Sequence, residues 1–131
     1  MRHEMPVTGF EDLIAWQKAR ALVREVMALC DRPPLNTRYA FRDQLQRSAL
    51  SIMSNIAEGF ERGTRNEFHH FLLISKGSCA EVRSLLYAGL DGHLIAEADF
   101  LRLMGLATEC SRIIGGLRAS VNRQRTTPPP A

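Results

Sequence analysis

Glu67 and His70 stand three residues apart, so a helix would carry both on one face. Glu58, Glu61 and His69 lie close by in the chain. A carboxylate–imidazole cluster of this kind can hold a metal or relay protons. A di-iron bundle centre, however, takes Glu-x-x-His pairs from two helices and a glutamate from each of the other two. Glu67 and His70 form the sole such pair in the sequence. Glu67 is also placed to complete the cap of a helix opened by Thr64. Ser48, Ser51, Ser54, Ser75 and Ser78 supply hydroxyls, but none sits in the G-x-S-x-G turn that exposes a nucleophile. "ISKGS" lacks the spacing of a phosphate-binding loop. Cys30, Cys79 and Cys110 are widely spread and include no CxxC pair, which points to buried, reduced thiols. The sequence therefore predicts no catalytic residue, no metal site and no cofactor. The protein is expected not to be an enzyme.

Binding chemistry is better represented. Arg65, His69, Lys76, Arg83 and Tyr87 recur at steps of four and seven, within one narrow helical sector free of acids. At 1.5 Å per residue the stripe is about 30 Å long. Cations along such a line can track phosphates, and a tyrosine can stack on a base. Beyond Glu109 no acid follows, while Arg112, Arg118, Arg123 and Arg125 do. Arg118, Arg123 and Arg125 join the candidate nucleic-acid-binding set. The alternative is a solvated face, or ion pairs with acids of a neighbouring helix. A second polar stripe, Gln44, Arg47, Ser51, Asn55 and Glu58, runs along one side of an earlier helix. It can serve as a binding surface or as a hydrogen-bonded network that fixes helix register or subunit contacts.

Four helical segments would position these side chains. The first is predicted from about Glu11 to Cys30, with Thr8 and Glu11 as a capping box and "DRPPLN" as its stop. Leu13, Trp16, Ala19, Val23, Val26 and Cys30 form its apolar stripe. The second runs from about Arg38 to Phe60 and ends at "GFERGT". The third begins after Thr64 and continues to about Leu90, where "GLDGHL" stops it with two glycines. The fourth spans about Glu97 to Asn122, and its Phe100, Leu103, Ala107, Cys110, Ile114, Leu117 and Val121 make a heptad seam. Residues 1–10 form an N-terminal extension. Residues 123–131, "RQRTTPPPA", read as a disordered basic, proline-rich tail. No period-two alternation argues for a strand. The fold class is all-α, an antiparallel up-down four-helix bundle over residues 11–122.

The composition fits one globular domain: 131 residues, 45% hydrophobic and 24% charged, with net charge +3. Fifteen of the 17 basic residues are arginine, suited to bidentate phosphate contacts; genomic base composition produces the same bias. No apolar run is long enough to span a membrane, and the first residues lack a signal-peptide core, so the expected location is the cytoplasm. Two further apolar seams stand beside the main stripes: Ala15, Leu22 and Leu29 on the first helix, and Leu50, Met53 and Ala57 on the second. A surface helix needs an apolar arc a little over 100° wide, and these helices approach twice that. The second seams are therefore expected to lie between subunits of a homo-oligomer.

"FEDLIAWQKARALV", "DQLQRSALSIMSNIAEGFERGT" and "NEFHHFLLISKGSCAEVRSLL" resemble the bacterial four helix bundle proteins encoded by intervening sequences of large-subunit ribosomal RNA genes. The likeness runs from about Phe10 to Leu117. Met53 replaces the proline of the usual "SIPSNIAEG", which should leave the second helix straighter. The resemblance implies an up-down bundle assembling as a homopentamer. More distantly, the chain is similar to the accessory variability determinants of diversity-generating retroelements, pentameric bundles that bind nucleic acid and a reverse transcriptase. The expected function is non-enzymatic RNA binding by an oligomer. The alternatives are a retroelement accessory subunit that bridges reverse transcriptase and template, and a protein-interaction scaffold without nucleic acid.

Overall fold

The computed structural model describes residues 7–126, and among them there are four long helices and no strand. Helix α1 (Ile14–Cys30) follows a single 3-10 turn, Phe10–Asp12. The expected capping box moves by one residue: the Asp12 carboxylate, not Glu11, accepts from the Thr8 N–H at 3.0 Å, the Thr8 hydroxyl at 3.0 Å and the Gly9 N–H at 3.3 Å. Those three bonds hold the Asp12 carboxyl below its usual range, with the Thr8 N–H the main cause. Helix α2 (Tyr39–Glu61) is continuous through Met53, where a proline would have broken its ladder. It ends on Gly63, whose φ of 87° only glycine adopts without strain.

Helix α3 (Arg65–Asp91) opens as predicted, with the Thr64 hydroxyl accepting from the Glu67 N–H at 3.2 Å. Its other end departs from the glycine rule. His93, not a glycine, takes the left-handed position at φ 60°. The N–H groups of His93 and Leu94 then bond back to the carbonyls of Leu90 and Gly89, closing a Schellman motif. Gly89 serves packing instead, since a Cβ there would collide with Ile95. Helix α4 (Glu97–Thr126) continues about a turn beyond Asn122. The start of the expected tail is thus helical, and residues 127–131, like residues 1–6 of the N-terminal extension, lie outside the described residues.

Each helix packs on two neighbours, in the cycle α1–α2–α3–α4–α1. Cross-helix partners descend on one helix as they rise on the next. Lys18 meets Glu109 and Arg32 meets Asp99 between α1 and α4, while Ser51 meets Ser78 and Gly59 meets Phe71 between α2 and α3. The bundle is antiparallel throughout. Leu45, Ile52, Ile56, Leu72, Val82, Leu86, Leu103 and Ile114 fill its core with no exposure.

One expectation is overturned. Ala15, Leu22 and Leu29 are buried inside this single chain, at 2%, 0% and 5% exposure, and do not form a seam left over for another subunit. The reason is geometric. Helix α1 touches both α2 and α4, and each neighbour covers one arc, so a bundle helix buries both stripes. On α2 the outcome differs: Leu50 is 42% exposed, while Met53 and Ala57 are half-buried.

Candidate nucleic-acid interface

The α3 stripe lines the valley between α3 and α4. Arg65 donates to the Gln124 carbonyl at 3.5 Å, which ties the start of α3 to the last turns of α4. Lys76 lies against Gly115: a Cβ built on that glycine would sit 3.2 Å from the lysine Nζ. Tyr87 remains exposed at 55%, its ring tilted over Phe100 with centroids 5.1 Å apart. Arg83 and His69 are half-buried. From α4, Arg118 enters the same valley, so two of the groups proposed separately from sequence meet across the helix pair. His69, Gly115, Arg118, Ala119 and Asn122 enclose a shallow pocket of about 380 Å³. Arg123 is exposed near the end of α4, and the Arg125 side chain lies outside the described residues.

The charges in this valley are not compensated in the way those elsewhere are. Across the α1–α4 valley, Lys18 pairs with Glu109 at 3.2 Å and Arg32 with Asp99 at 3.0 Å. Arg102 holds Asp99 at 3.1 Å and also pairs with Glu25. Burial would raise the Asp99 carboxyl, but hydrogen bonds from Arg32 and Arg102 outweigh it and keep the group below its usual value. Among the described residues, neither Lys76, Arg83 nor Arg118 has a carboxylate partner. The Nε of Arg83 and that of Arg118 are shielded from solvent with no hydrogen-bond partner. Such orphaned donors cost free energy until an acceptor reaches them.

The polar stripe of α2 divides into three parts. Ser51 and Asn55 belong to an interhelical network: the Asn55 amide donates to the Ser51 hydroxyl at 3.0 Å, and Ser51 and Ser78 share a bond of 2.8 Å. The Ser78 hydroxyl donates to the Ile74 carbonyl at 3.2 Å, and the buried Ser75 hydroxyl donates to the Ile52 carbonyl at 2.9 Å. The Ser51–Ser78 and Ser75–Ile52 bonds cross between the helices and fix the α2–α3 register. Gln44 and Arg47 are exposed and line a shallow surface pocket with Asp43 and Glu81. Glu58 pairs with Arg62 at 2.8 Å. Sequence reasoning missed Ser78 as the partner of this stripe, because its place on α3 matters only once the two helices are in register.

The thiols also meet. Cys79 and Cys110 hydrogen-bond to each other across the α3–α4 contact, and that bond, with burial, pushes Cys110 well above the ordinary thiol range. Burial likewise raises Cys30, to about 11. Glu67 and His70 are exposed, the histidine ring edge-on to Phe71 at 5.8 Å. Among the described residues no three His, Cys, Asp or Glu side chains converge where a metal could bind, and no helix is long and apolar enough to cross a membrane.

An all-α antiparallel bundle with a cationic interhelical valley is the class these observations define. The chain belongs to the 23S rRNA-intervening sequence protein family, whose model matches residues 11–116. Among solved structures it is similar to a protein of unknown function from the S23 ribosomal protein family of Bacteroides thetaiotaomicron VPI-5482. That likeness has a TM-score of 0.74 at 19% identity, covers 80% of this chain and 98% of the other, and concerns the fold. No curated protein matches the chain.

Proposed function

We propose that this protein is a non-enzymatic, oligomeric RNA-binding member of its family, and that the α3–α4 valley is its contact surface. The observation that carries this is the contrast between valleys. The cations of the α1–α4 valley are paired with acids, whereas Lys76, Arg83 and Arg118 have none. Unpaired cations along one line attract a polyanion and release its counterions. One chain's valley holds few charges, so useful affinity calls for several copies acting together. A homopentamer would supply five. Leu50 on α2 and Leu73 and Ile74 on α3 are exposed apolar side chains available for such contacts.

The test is a salt titration of RNA binding by the wild type and by the Arg65→Gln, Lys76→Gln, Arg83→Gln triple variant. Each lost phosphate contact removes about 0.7 to 0.9 from the logarithmic salt slope. The triple variant should therefore flatten it by roughly two to three units per engaged subunit. An unchanged slope would mean that the stripe is an ordinary solvated face.

A further inference from the structure

We infer that the α3–α4 valley accepts a single nucleic-acid strand rather than a duplex, with one phosphate seated where His69, Lys76, Gly115, Arg118 and Asn122 meet. This deepens the RNA-binding reading and rests on it. Lys76 lies across the α4 backbone at Gly115, where the absence of a side chain leaves room for its ammonium. Arg118 follows three residues later on the same face of α4. Gly115 and Arg118 also line the pocket of about 380 Å³, and no carboxylate lines it. An arginine and a histidine from two helices thus share one concave spot, and the Lys76 ammonium lies beside it at Gly115. Arg118, which lines the pocket, and Arg83, further along α3, each keep a shielded Nε that has no acceptor among the described residues. Phosphate oxygens are acceptors only, and arginine binds them at two points.

The form of the valley selects the strand. Packed helices stand about 8–10 Å apart axis to axis, so the trough between them admits one backbone. An A-form RNA duplex carries its two phosphate rows on either side of a wide, shallow minor groove with its bases paired inside, so the trough can take at most one row and reaches no base face. Tyr87 adds a second criterion. It lies eleven residues from Lys76, about 16 Å along α3, with its ring exposed and braced on Phe100. An unpaired base can stack there, whereas a base held in a duplex cannot.

Fluorescence anisotropy with a labelled single-stranded RNA of about 16 nucleotides, and with the same strand annealed to its complement, tests this. The proteins are wild type, Gly115→Leu, Arg118→Gln and the Arg65/Lys76/Arg83 glutamine triple variant. Gly115→Leu keeps every charge and removes a glycine from a helix interior, so its thermal midpoint should not fall. It should nonetheless lose about tenfold in single-strand affinity, as should Arg118→Gln, and wild type should prefer the single strand by about tenfold. Wild-type binding by Gly115→Leu and Arg118→Gln, with loss only in the triple variant, would overturn the pocket while leaving the broader RNA-binding reading intact. Equal wild-type affinity for duplex would overturn the single-strand assignment. If no protein binds either RNA, both this inference and the RNA-binding reading fail.

Discussion

Gly59 lets α2 and α3 approach closely, and adding one methyl group there should destabilise the bundle. A Cβ on Gly59 would stand 2.5 Å from the Phe71 Cβ, 3.2 Å from its Cγ and 3.3 Å from the Phe68 Cδ1. Carbon atoms pack best at about 3.5–4.0 Å, so the two helices must part locally by about 1 Å. The obstruction is a Cβ, which moves only with its backbone, and rotamer changes cannot relieve it. Overpacking of this kind costs about 1–3 kcal/mol. Better helix propensity returns about 0.5–1 kcal/mol. Gly59→Ala should therefore lose about 1–2 kcal/mol, or roughly 4–8 °C in thermal midpoint for a chain of this length. Gly77→Ala is the control: no atom lies within 4 Å of its added Cβ, and the substitution should gain about 0.5–1 kcal/mol. Circular-dichroism melts at one fixed protein concentration compare the two, because subunit association would otherwise shift the midpoint. A Gly59→Ala protein that melts at or above Gly77→Ala would refute the close α2–α3 approach.

Three other outcomes follow from the same packing. Leu22→Ala should cost about 2–5 kcal/mol of stability, since Leu22 lies fully inside the chain, while half-exposed Leu50→Ala should stay within about 1 kcal/mol in urea titrations. His93→Gly should stabilise by about 0.5–1 kcal/mol in thermal melts, because a left-handed φ of 60° strains any residue with a Cβ. The Asp99 carboxyl is depressed in the folded state, so its contribution is present above its ordinary value of 3.8 and is lost as pH falls through the lower folded value. Asp99→Asn should accordingly be less stable near neutrality and show a shallower acid limb, read as midpoint against pH.

The helices were legible in the sequence because their signals are local. Thr64 caps α3 through Glu67, and the heptad from Phe100 to Val121 is the buried face of α4, with Leu117 at its margin. What stayed hidden depends on which helix lies next to which. Ala15, Leu22 and Leu29 look surplus when arcs are measured against a lone surface helix, and cease to once α2 and α4 both cover α1. His93 takes the turn position that Gly92 seemed made for, because the motif needs Leu94 to reach back to Gly89. The basic stripe is the sharpest case. Lys18 and Arg32 on α1 are as cationic as Lys76 and Arg83 on α3, and nothing in their own segments separates them. Helix α4 makes the distinction. It turns Asp99 and Glu109 toward α1 and neutralises that valley. Toward α3 it presents Gly115 and Arg118, so among the described residues Lys76, Arg83 and Arg118 meet no carboxylate there. A candidate anion surface is therefore set by the helix opposite the basic stripe as much as by the stripe itself.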